Sequence, residues 1–148
     1  MEESRLYRLL RPLIPKPLRP LALKYQQLLS YLIFGVLTTL VNLLLYYPLS
    51  HLIHYLAANV IAWVGAVIFA FFTNKALVFE DSQWDAGTLL RQGSSFAAAR
   101  LFSLGMEELI LWGFVEQMGL SPDWIKLLAQ ILVVILNYVF SKFMIFRK

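Results

Sequence analysis

The chain has 148 residues, of which 59% are hydrophobic, and it carries a formal net charge of +4 without a single cysteine. Little of so apolar a chain remains to form a water-exposed surface, so the composition excludes an ordinary soluble globular domain. The absence of cysteine excludes disulfides, thiolate catalysis and cysteine-based metal sites.

Residues 1–26 are predicted to form a basic cytoplasmic tail at the membrane interface. Arg5, Arg8 and Arg11 recur every three residues among leucines, and prolines follow at positions 12, 15, 17 and 20. This pattern predicts a short basic helix on the cytoplasmic leaflet, followed by an irregular proline-rich stretch. A solvated tail that only directs topology is the alternative.

Four apolar runs follow, at about residues 28–49, 55–73, 94–115 and 127–146. Each is long enough to cross a hydrocarbon core about 30 Å thick as a helix. Basic residues concentrate before the first run, between the second and third, and after the fourth, which places both termini in the cytoplasm. We therefore predict an all-α polytopic membrane protein whose residues 27–148 form four transmembrane helices. This asymmetry accounts for the positive charge, so nucleic acid is not a predicted partner.

The chain repeats itself weakly. At an offset of 65 residues, Thr38 matches Ser103 and Asn42 matches Glu107, and at an offset of 67 the segment 74–79 matches 141–146. The repeat predicts two tandem helical hairpins that enter from the cytoplasmic side. Such duplication is common in transporters, whose sites tend to lie between repeats.

Polar residues lie on stripes within the apolar runs. The second run carries alanines at positions 58, 62, 66 and 70, followed by Asn74, and this spacing predicts a helix-packing seam. The first run contains Asn42, and the fourth contains Gln130, Asn137 and Ser141 on one face. Buried amides need partners in a bilayer, because water is not there to satisfy them. These partners could be neighbouring helices or a polar ligand.

The third run carries charge. Arg100, Ser103 and Glu107 share one helical face. A charge at mid-membrane costs about 3 to 10 kcal/mol unless it faces protein, water or a partner. Seven residues separate Arg100 from Glu107, or about 10 Å along a helix, too far for an ideal pair within one helix. Each is therefore expected to face another helix or a polar cavity.

Lys75 and Lys142 occupy equivalent places in the two repeats, each four residues before a phenylalanine. Both are predicted near the cytoplasmic headgroups, with Arg100 at similar depth. Three cations that converge there would bind a phosphate through charge-assisted hydrogen bonds. The alternative is that the lysines are topological anchors at helix ends.

Three segments resemble the GtrA-like family: residues 30–42 (SYLIFGVLTTLVN), 71–79 (FFTNKALVF) and 137–146 (NYVFSKFMIF). The resemblance covers about residues 27–148. It implies a multi-pass protein of the bacterial inner membrane that moves polyprenyl-phosphate-linked monosaccharides for surface-polysaccharide or cell-wall glycosylation. Ala70 stands where the second repeat has Asn137, so the hairpins are not chemically identical half-sites.

The mechanism that follows from this resemblance assigns Lys75, Lys142 and Arg100 to the lipid phosphate. Glu107 would neutralise Arg100 while the site is empty. The expected polar path for the sugar consists of Asn42, Asn74, Gln130, Asn137, Ser141 and Glu107. Membrane lipids, glycosyltransferases of the same pathway and a second copy of the chain, forming a homodimer, are the other expected partners.

Two other functions remain open at this point. The protein could be a non-transporting partner that positions a glycosyltransferase, with the basic tail as its docking arm. It could also export small cations, although the first run lacks the carboxylate that such a site needs. No enzyme activity, cofactor or metal site is predicted, because no nucleophile–base pair or glycine-rich phosphate loop occurs. His51 and His54 are interpreted as interfacial polar residues.

Overall fold

The computed structural model describes residues 2–147, apart from the side chains of residues 55, 56, 122 and 123. All regular structure in this part of the chain is helical, which confirms the predicted all-α class. Its α-helices are α1 (Arg5–Leu10), α2 (Arg19–Lys24), α3 (Gln26–Leu52), α4 (Tyr55–Thr73), α5 (Ala86–Leu111) and α6 (Pro122–Phe140).

The chain divides into two compact units, residues 1–82 and 83–148. The first unit contains α1 to α4, and its long helices α3 and α4 pack against each other as a hairpin. The second unit contains α5 and α6, which pack against each other in the same way. Each predicted repeat therefore corresponds to one helical hairpin.

Three helices among the described residues are long and apolar enough to cross a membrane: Gln26–Leu52, Ala57–Val78 and Trp124–Ile145. They correspond to the predicted first, second and fourth spans. The predicted third span lies in α5, which is long enough but carries Arg100, Glu107 and Glu108 in its C-terminal half. Length and composition thus support three spans, and the fourth depends on how these charges are satisfied.

The second helix of each hairpin ends in a π-helical turn, Asn74–Val78 in the first unit and Ser141–Ile145 in the second. The Phe79 N–H donates to the carbonyl oxygen of Asn74 at 2.8 Å, and the Phe146 N–H donates to that of Ser141 at 2.9 Å. Both phenylalanines are buried. π-helical turns are rare in proteins, and those that occur are often at functional sites. Their occurrence at the two matched motifs therefore indicates a candidate site at these helix ends.

The alanine stripe of α4 forms the packing seam that the sequence predicts. Ala58, Ala62, Ala66 and Ala70 are 0%, 0%, 4% and 2% exposed. A Cβ added at Gly65 would overlap the Leu45 side chain of α3, so glycine at this position leaves room for that side chain. Small residues allow helices to pack closely where the hydrophobic effect between helices is absent.

Replacing Ala62 by leucine is expected to lower the free energy of unfolding by about 1–3 kcal/mol, because a larger side chain overpacks the seam. Ala57→Leu is the matched control, since Ala57 is exposed on the same helix and should change stability by less than about 0.5 kcal/mol. Thermal unfolding in detergent measures both. Equal stability of the two variants would contradict the seam.

The N-terminal segment contains the predicted basic helix, but its proline-rich part is not irregular. Two 3₁₀ turns, Arg11–Leu13 and Lys16–Leu18, connect α1 to α2, and each turn and α2 carry a proline in the first two positions. Proline is favourable there because its φ is already helical and its missing N–H needs no partner. The prediction of an irregular stretch is therefore wrong.

Hydrogen bonds hold this segment to the first hairpin. The Ser4 N–H donates to Gln26 Oε1 at 2.8 Å, and the Gln26 side-chain amide donates to the carbonyl oxygen of Glu2 at 2.7 Å. The Arg5 N–H donates to Glu80 Oε1 at 2.7 Å. The segment is thus folded onto α3 and onto the turn that follows α4.

The second unit begins at a well-defined helix cap. Asp85 Oδ2 accepts a hydrogen bond from the Thr88 N–H at 2.9 Å, the usual role of an aspartate before a helix. This hydrogen bond, together with one from the Thr88 side chain, lowers the pKa of the Asp85 carboxyl. The cap fixes where α5 starts, and so sets the register of its polar face.

Candidate functional site

One face of α5 carries polar side chains through the second unit. Gln92, Ser103 and Glu107 are 3%, 1% and 5% exposed. Arg100, half-buried, lies on the same stripe, because the four residues follow one another at intervals of three, four or eight. Since α6 packs against α5, this face meets polar groups of α6.

Ser103 and Asn137 join the two helices through a buried hydrogen bond. The Ser103 hydroxyl donates to Asn137 Oδ1 at 2.7 Å, and both residues are more than nine-tenths buried. In the first unit the equivalent Thr38 hydroxyl donates to the carbonyl oxygen of Phe34 in its own helix, at 2.7 Å. The difference follows from Ala70, which offers no side-chain acceptor where the second unit has Asn137.

Glu107 is paired across the hairpin. Its Oε1 accepts hydrogen bonds from the Lys126 ammonium and from the Gln130 side-chain amide, the latter at 2.7 Å. Glu107 therefore faces another helix, as predicted for a carboxylate within an apolar run. The expectation that it neutralises Arg100 in the empty site is not met. About 10 Å of helix separates the two, whereas Lys126 and Gln130 reach the carboxylate from α6.

Arg100 and Lys142 keep their positive charges without a carboxylate in ion-pair range among the described residues. The Arg100 guanidinium lies 4.9 Å from the centre of the Phe96 ring. The Lys142 ammonium lies 5.7 Å from the centre of the Tyr138 ring and 5.4 Å from that of Phe143. An aromatic face stabilises a cation without neutralising it, so both groups retain charge for an anion.

Lys75 is in a different electrostatic state. It is 0% exposed, and its ammonium forms an ion pair with Asp81 Oδ1 at 3.0 Å. The Asp81 N–H also donates to the carbonyl oxygen of Lys75, at 2.8 Å. Contact between Lys75 and a phosphate would therefore require this pair to open.

Asp81 was not among the site residues predicted from the sequence. An offset of 67 residues places Lys148 at the matching position of the second repeat, so Lys142 has no equivalent carboxylate there. The chain reverses at Glu80, whose φ of 48° is unusual for a residue other than glycine. The sequence does show a carboxylate six residues after a helix-end lysine. It does not show the turn at Glu80 that brings the two side chains together.

Asn74 has a buried acceptor without a partner. The residue is 3% exposed, and its side-chain oxygen accepts no hydrogen bond from the described residues. Buried polar atoms are nearly always paired, so an orphan such as this needs an explanation. A donor group of a ligand, such as a sugar hydroxyl, is one partner that would satisfy it.

The remaining predicted residues divide between the two units. Asn42 is half-buried on α3 of the first unit, together with Asn74 and Lys75. The second unit holds Arg100, Glu107, Gln130, Asn137, Ser141 and Lys142. Ser141 is 2% exposed within its π-helical turn, where its carbonyl oxygen accepts from Phe146. Convergence of Lys75 with Arg100 and Lys142 remains a prediction.

The chain is similar in sequence to one known family and to several bacterial membrane and cell wall glycosylation proteins. The family described as "GtrA/DPMS, transmembrane domain" matches residues 30–146. The chain is similar to the cell wall teichoic acid glycosylation protein GtcA of Listeria innocua, at 37% identity over 81% of this chain and 84% of that protein. GtcA of Listeria monocytogenes is 35% identical over the same shares.

A third relative is the uncharacterized membrane protein YwcD of Bacillus subtilis, 37% identical over 80% of this chain and 94% of its own length. No solved structure matches the chain. The family match spans both hairpins and their helix-end motifs, and it omits the whole basic N-terminal segment. The chain is therefore a member of the GtrA/DPMS transmembrane-domain family.

Proposed function

We propose that this protein translocates a polyprenyl-phosphate-linked monosaccharide from the cytoplasmic to the outer leaflet of the bacterial inner membrane. The product would serve glycosylation of the cell wall or of a surface polysaccharide. Family membership supports a role in glycosylation, because two relatives are named as cell wall teichoic acid glycosylation proteins. The proposal involves translocation without bond chemistry, so no catalytic residue is assigned.

The physical task is to carry a polar headgroup through hydrocarbon. A polyprenyl chain is soluble in lipid, but a phosphate and a sugar lose their hydrogen bonds to water on entering the bilayer core. A carrier must therefore offer cations for the phosphate and a series of hydrogen-bonding groups for the sugar. Both must lie on helices that are otherwise compatible with lipid.

One observation carries the proposal. The second hairpin has a polar face, and it also has two cations, Arg100 and Lys142, that form no ion pair with a carboxylate of the described residues. Beyond Arg100, the Ser103–Asn137 and Glu107–Gln130 hydrogen bonds follow within about 10 Å of helix. A sugar could exchange hydrogen bonds with such groups in steps.

The proposed topology has four spans with both termini in the cytoplasm. The 26 residues of α5 extend about 39 Å, enough to cross the bilayer. The charge of Glu107 is offset by Lys126, which lowers the cost of placing this helix in lipid. Arg100 lies about 10 Å closer than Glu107 to the N-terminal, cytoplasmic end of α5, from which the phosphate would approach.

Lys75 would bind the lipid phosphate only after its ion pair with Asp81 opens. A lipid phosphate could take the place of the Asp81 carboxylate as its partner, because both are oxyanions that accept hydrogen bonds from an ammonium. Asn74, next in sequence, would then offer its unpaired oxygen to the sugar. A second copy of the chain and glycosyltransferases of the same pathway are the proposed protein partners.

The decisive experiment measures transport of a lipid-linked sugar in proteoliposomes. Arg100→Ala and Lys142→Ala are each expected to lower the rate about tenfold, the loss of one charge-assisted contact. Lys142→Arg should retain most activity because it keeps the charge.

Arg91→Ala is the matched control for Arg100, since Arg91 is exposed on the same helix. It should transport at the rate of the unmodified protein. Unchanged transport by well-folded Arg100→Ala and Lys142→Ala proteins would refute the proposed mechanism.

A further inference from the structure

An apolar groove lies between the N-terminal segment and the first turns of α3, within the first unit. Its volume is about 630 Å³, and its walls include Leu10, Ile14 and Ala22 from the segment and Leu29 and Ile33 from α3. Almost all of the lining surface is apolar. A concave apolar surface of this size indicates an apolar occupant, because exposing it to water is unfavourable.

Two cations lie next to residues that line this groove. The Arg19 Nε–H donates to the carbonyl oxygen of Ile14 at 3.2 Å, and the Tyr7 hydroxyl donates to the carbonyl oxygen of Arg19 at 3.3 Å. The Lys24 ammonium lies 5.4 Å from the centre of the Tyr25 ring. Ile14, Tyr7 and Tyr25 all line the groove, so both cations are fixed beside its apolar walls.

No carboxylate among the described residues lies in ion-pair range of Arg19 or Lys24. In the rest of the segment, Arg11 is paired with Glu3 at 3.3 Å, while Arg8 and Lys16 are exposed. The groove therefore combines an apolar wall with an excess of positive charge at its edge, and this arrangement is complementary to an anionic amphiphile.

The direction of the groove defines how such a molecule would lie. Its basic edge belongs to the segment that precedes the first span, and its walls continue along α3 to Ile33. A headgroup at the basic edge would place its hydrocarbon chain along the start of α3, which has the length and composition of a membrane span.

We propose that the groove binds one hydrocarbon chain of an anionic bilayer phospholipid, whose phosphate contacts Arg19 and Lys24. Arginine and lysine near an anionic leaflet attract such lipids, and the guanidinium can hold a phosphate through two hydrogen bonds. Most of the lining residues precede residue 30, where the family match begins. Most of the groove thus lies outside the part of the chain that matches the family, which favours a lipid of the bilayer over the lipid that the family is proposed to carry.

The bound lipid would act as an anchor for the N-terminal segment. The segment already contacts α3 through Gln26 and the turn after α4 through Glu80. A phospholipid in the groove adds apolar contact between the same segment and α3. The segment is thereby held at the membrane interface.

Native mass spectrometry of the full-length protein, released from detergent containing equal amounts of phosphatidylglycerol and phosphatidylcholine, tests this proposal. One phosphatidylglycerol should remain bound, in preference to phosphatidylcholine. Arg19→Gln with Lys24→Gln should weaken its binding about 30-fold, the effect expected for two cations at an anionic surface. Ala22→Trp should fill the groove and abolish retention of either lipid.

Leu44→Trp is the matched control for Ala22→Trp, because Leu44 is 73% exposed on α3 and does not line the groove. It should retain the lipid. The two glutamine replacements are on the groove's edge, so they test the headgroup contact even if the tryptophan variant fails to fold.

Three results would overturn the proposal. They are equal retention of the two phospholipids, unchanged retention in the glutamine variant, and displacement of phosphatidylglycerol by equimolar glycerol phosphate or polyprenyl phosphate. Displacement by glycerol phosphate would show that the hydrocarbon chain is not bound in the groove. Displacement by polyprenyl phosphate would show that the groove binds a different lipid. Because lipid retention is measured without transport, failure to retain phosphatidylglycerol would not contradict the proposed translocation.

Discussion

Lys75→Met is expected to lower the free energy of unfolding by about 3–5 kcal/mol, because it removes the ammonium that forms an ion pair with the buried Asp81 carboxylate. Replacing both partners, as Lys75→Met with Asp81→Leu, should restore stability to within about 1 kcal/mol, since the buried charge is then absent. Unfolding in detergent by heat or denaturant measures all three proteins.

The matched control is Lys142→Met, the same substitution at the equivalent position of the second repeat. Lys142 is exposed and has no ion pair with the described residues, so its replacement should change stability by less than about 0.5 kcal/mol. If Lys75→Met is as mild as Lys142→Met, then the buried pair does not contribute as the structure indicates.

The same double variant separates two roles for Lys75. A stable Lys75→Met, Asp81→Leu protein that transports normally would make the lysine a structural residue. A stable protein that has lost transport would make it a ligand of the phosphate, as the sequence analysis predicts. The distinction is possible because the double replacement removes the charge without the destabilisation of either single change.

Asn74→Leu is expected to raise the free energy of unfolding by about 1–3 kcal/mol and to slow transport. The first effect follows because the change removes a buried acceptor that has no partner among the described residues. The second follows if that oxygen accepts a hydrogen bond from the transported sugar. A gain in stability together with a loss of activity indicates that the replaced group serves function and not folding.

Asn59→Leu provides the control, because Asn59 is exposed on α4, the helix that precedes the turn containing Asn74, and the change removes no buried acceptor there. The two measurements are denaturant unfolding and the proteoliposome assay. A decrease in stability for Asn74→Leu would mean that Asn74 has a structural partner. Full transport activity would remove Asn74 from the proposed sugar path.

Patterns with a helical period were predictable from the sequence. The repeat at offsets of 65 and 67 residues predicted one hairpin per repeat, and the four alanines of α4 predicted a buried seam. Both depend on regular spacing, which a helix converts directly into a shared face. The pairing of Glu107 with another helix followed from the cost of a charge in an apolar run.

Contacts that depend on a chain reversal were not predictable. The Lys75–Asp81 pair requires the turn at Glu80, and the apolar groove requires the N-terminal segment to fold back onto α3. The partner of Glu107 was missed for a related reason. Lys126 precedes the predicted fourth span at about residues 127–146, but it belongs to the first turns of α6 and reaches the carboxylate from there.

The buried ion pair also changes how the orientation of insertion is determined. Because Lys75 is fully buried beside Asp81, its ammonium is closed off from the lipid headgroups, and Arg91 is the exposed basic residue in the middle connection of the chain. Retention of that connection in the cytoplasm consequently depends little on its own sequence. In the proposed topology the arginines and lysines of residues 5–24 and 142–148 determine the orientation in which the helices insert.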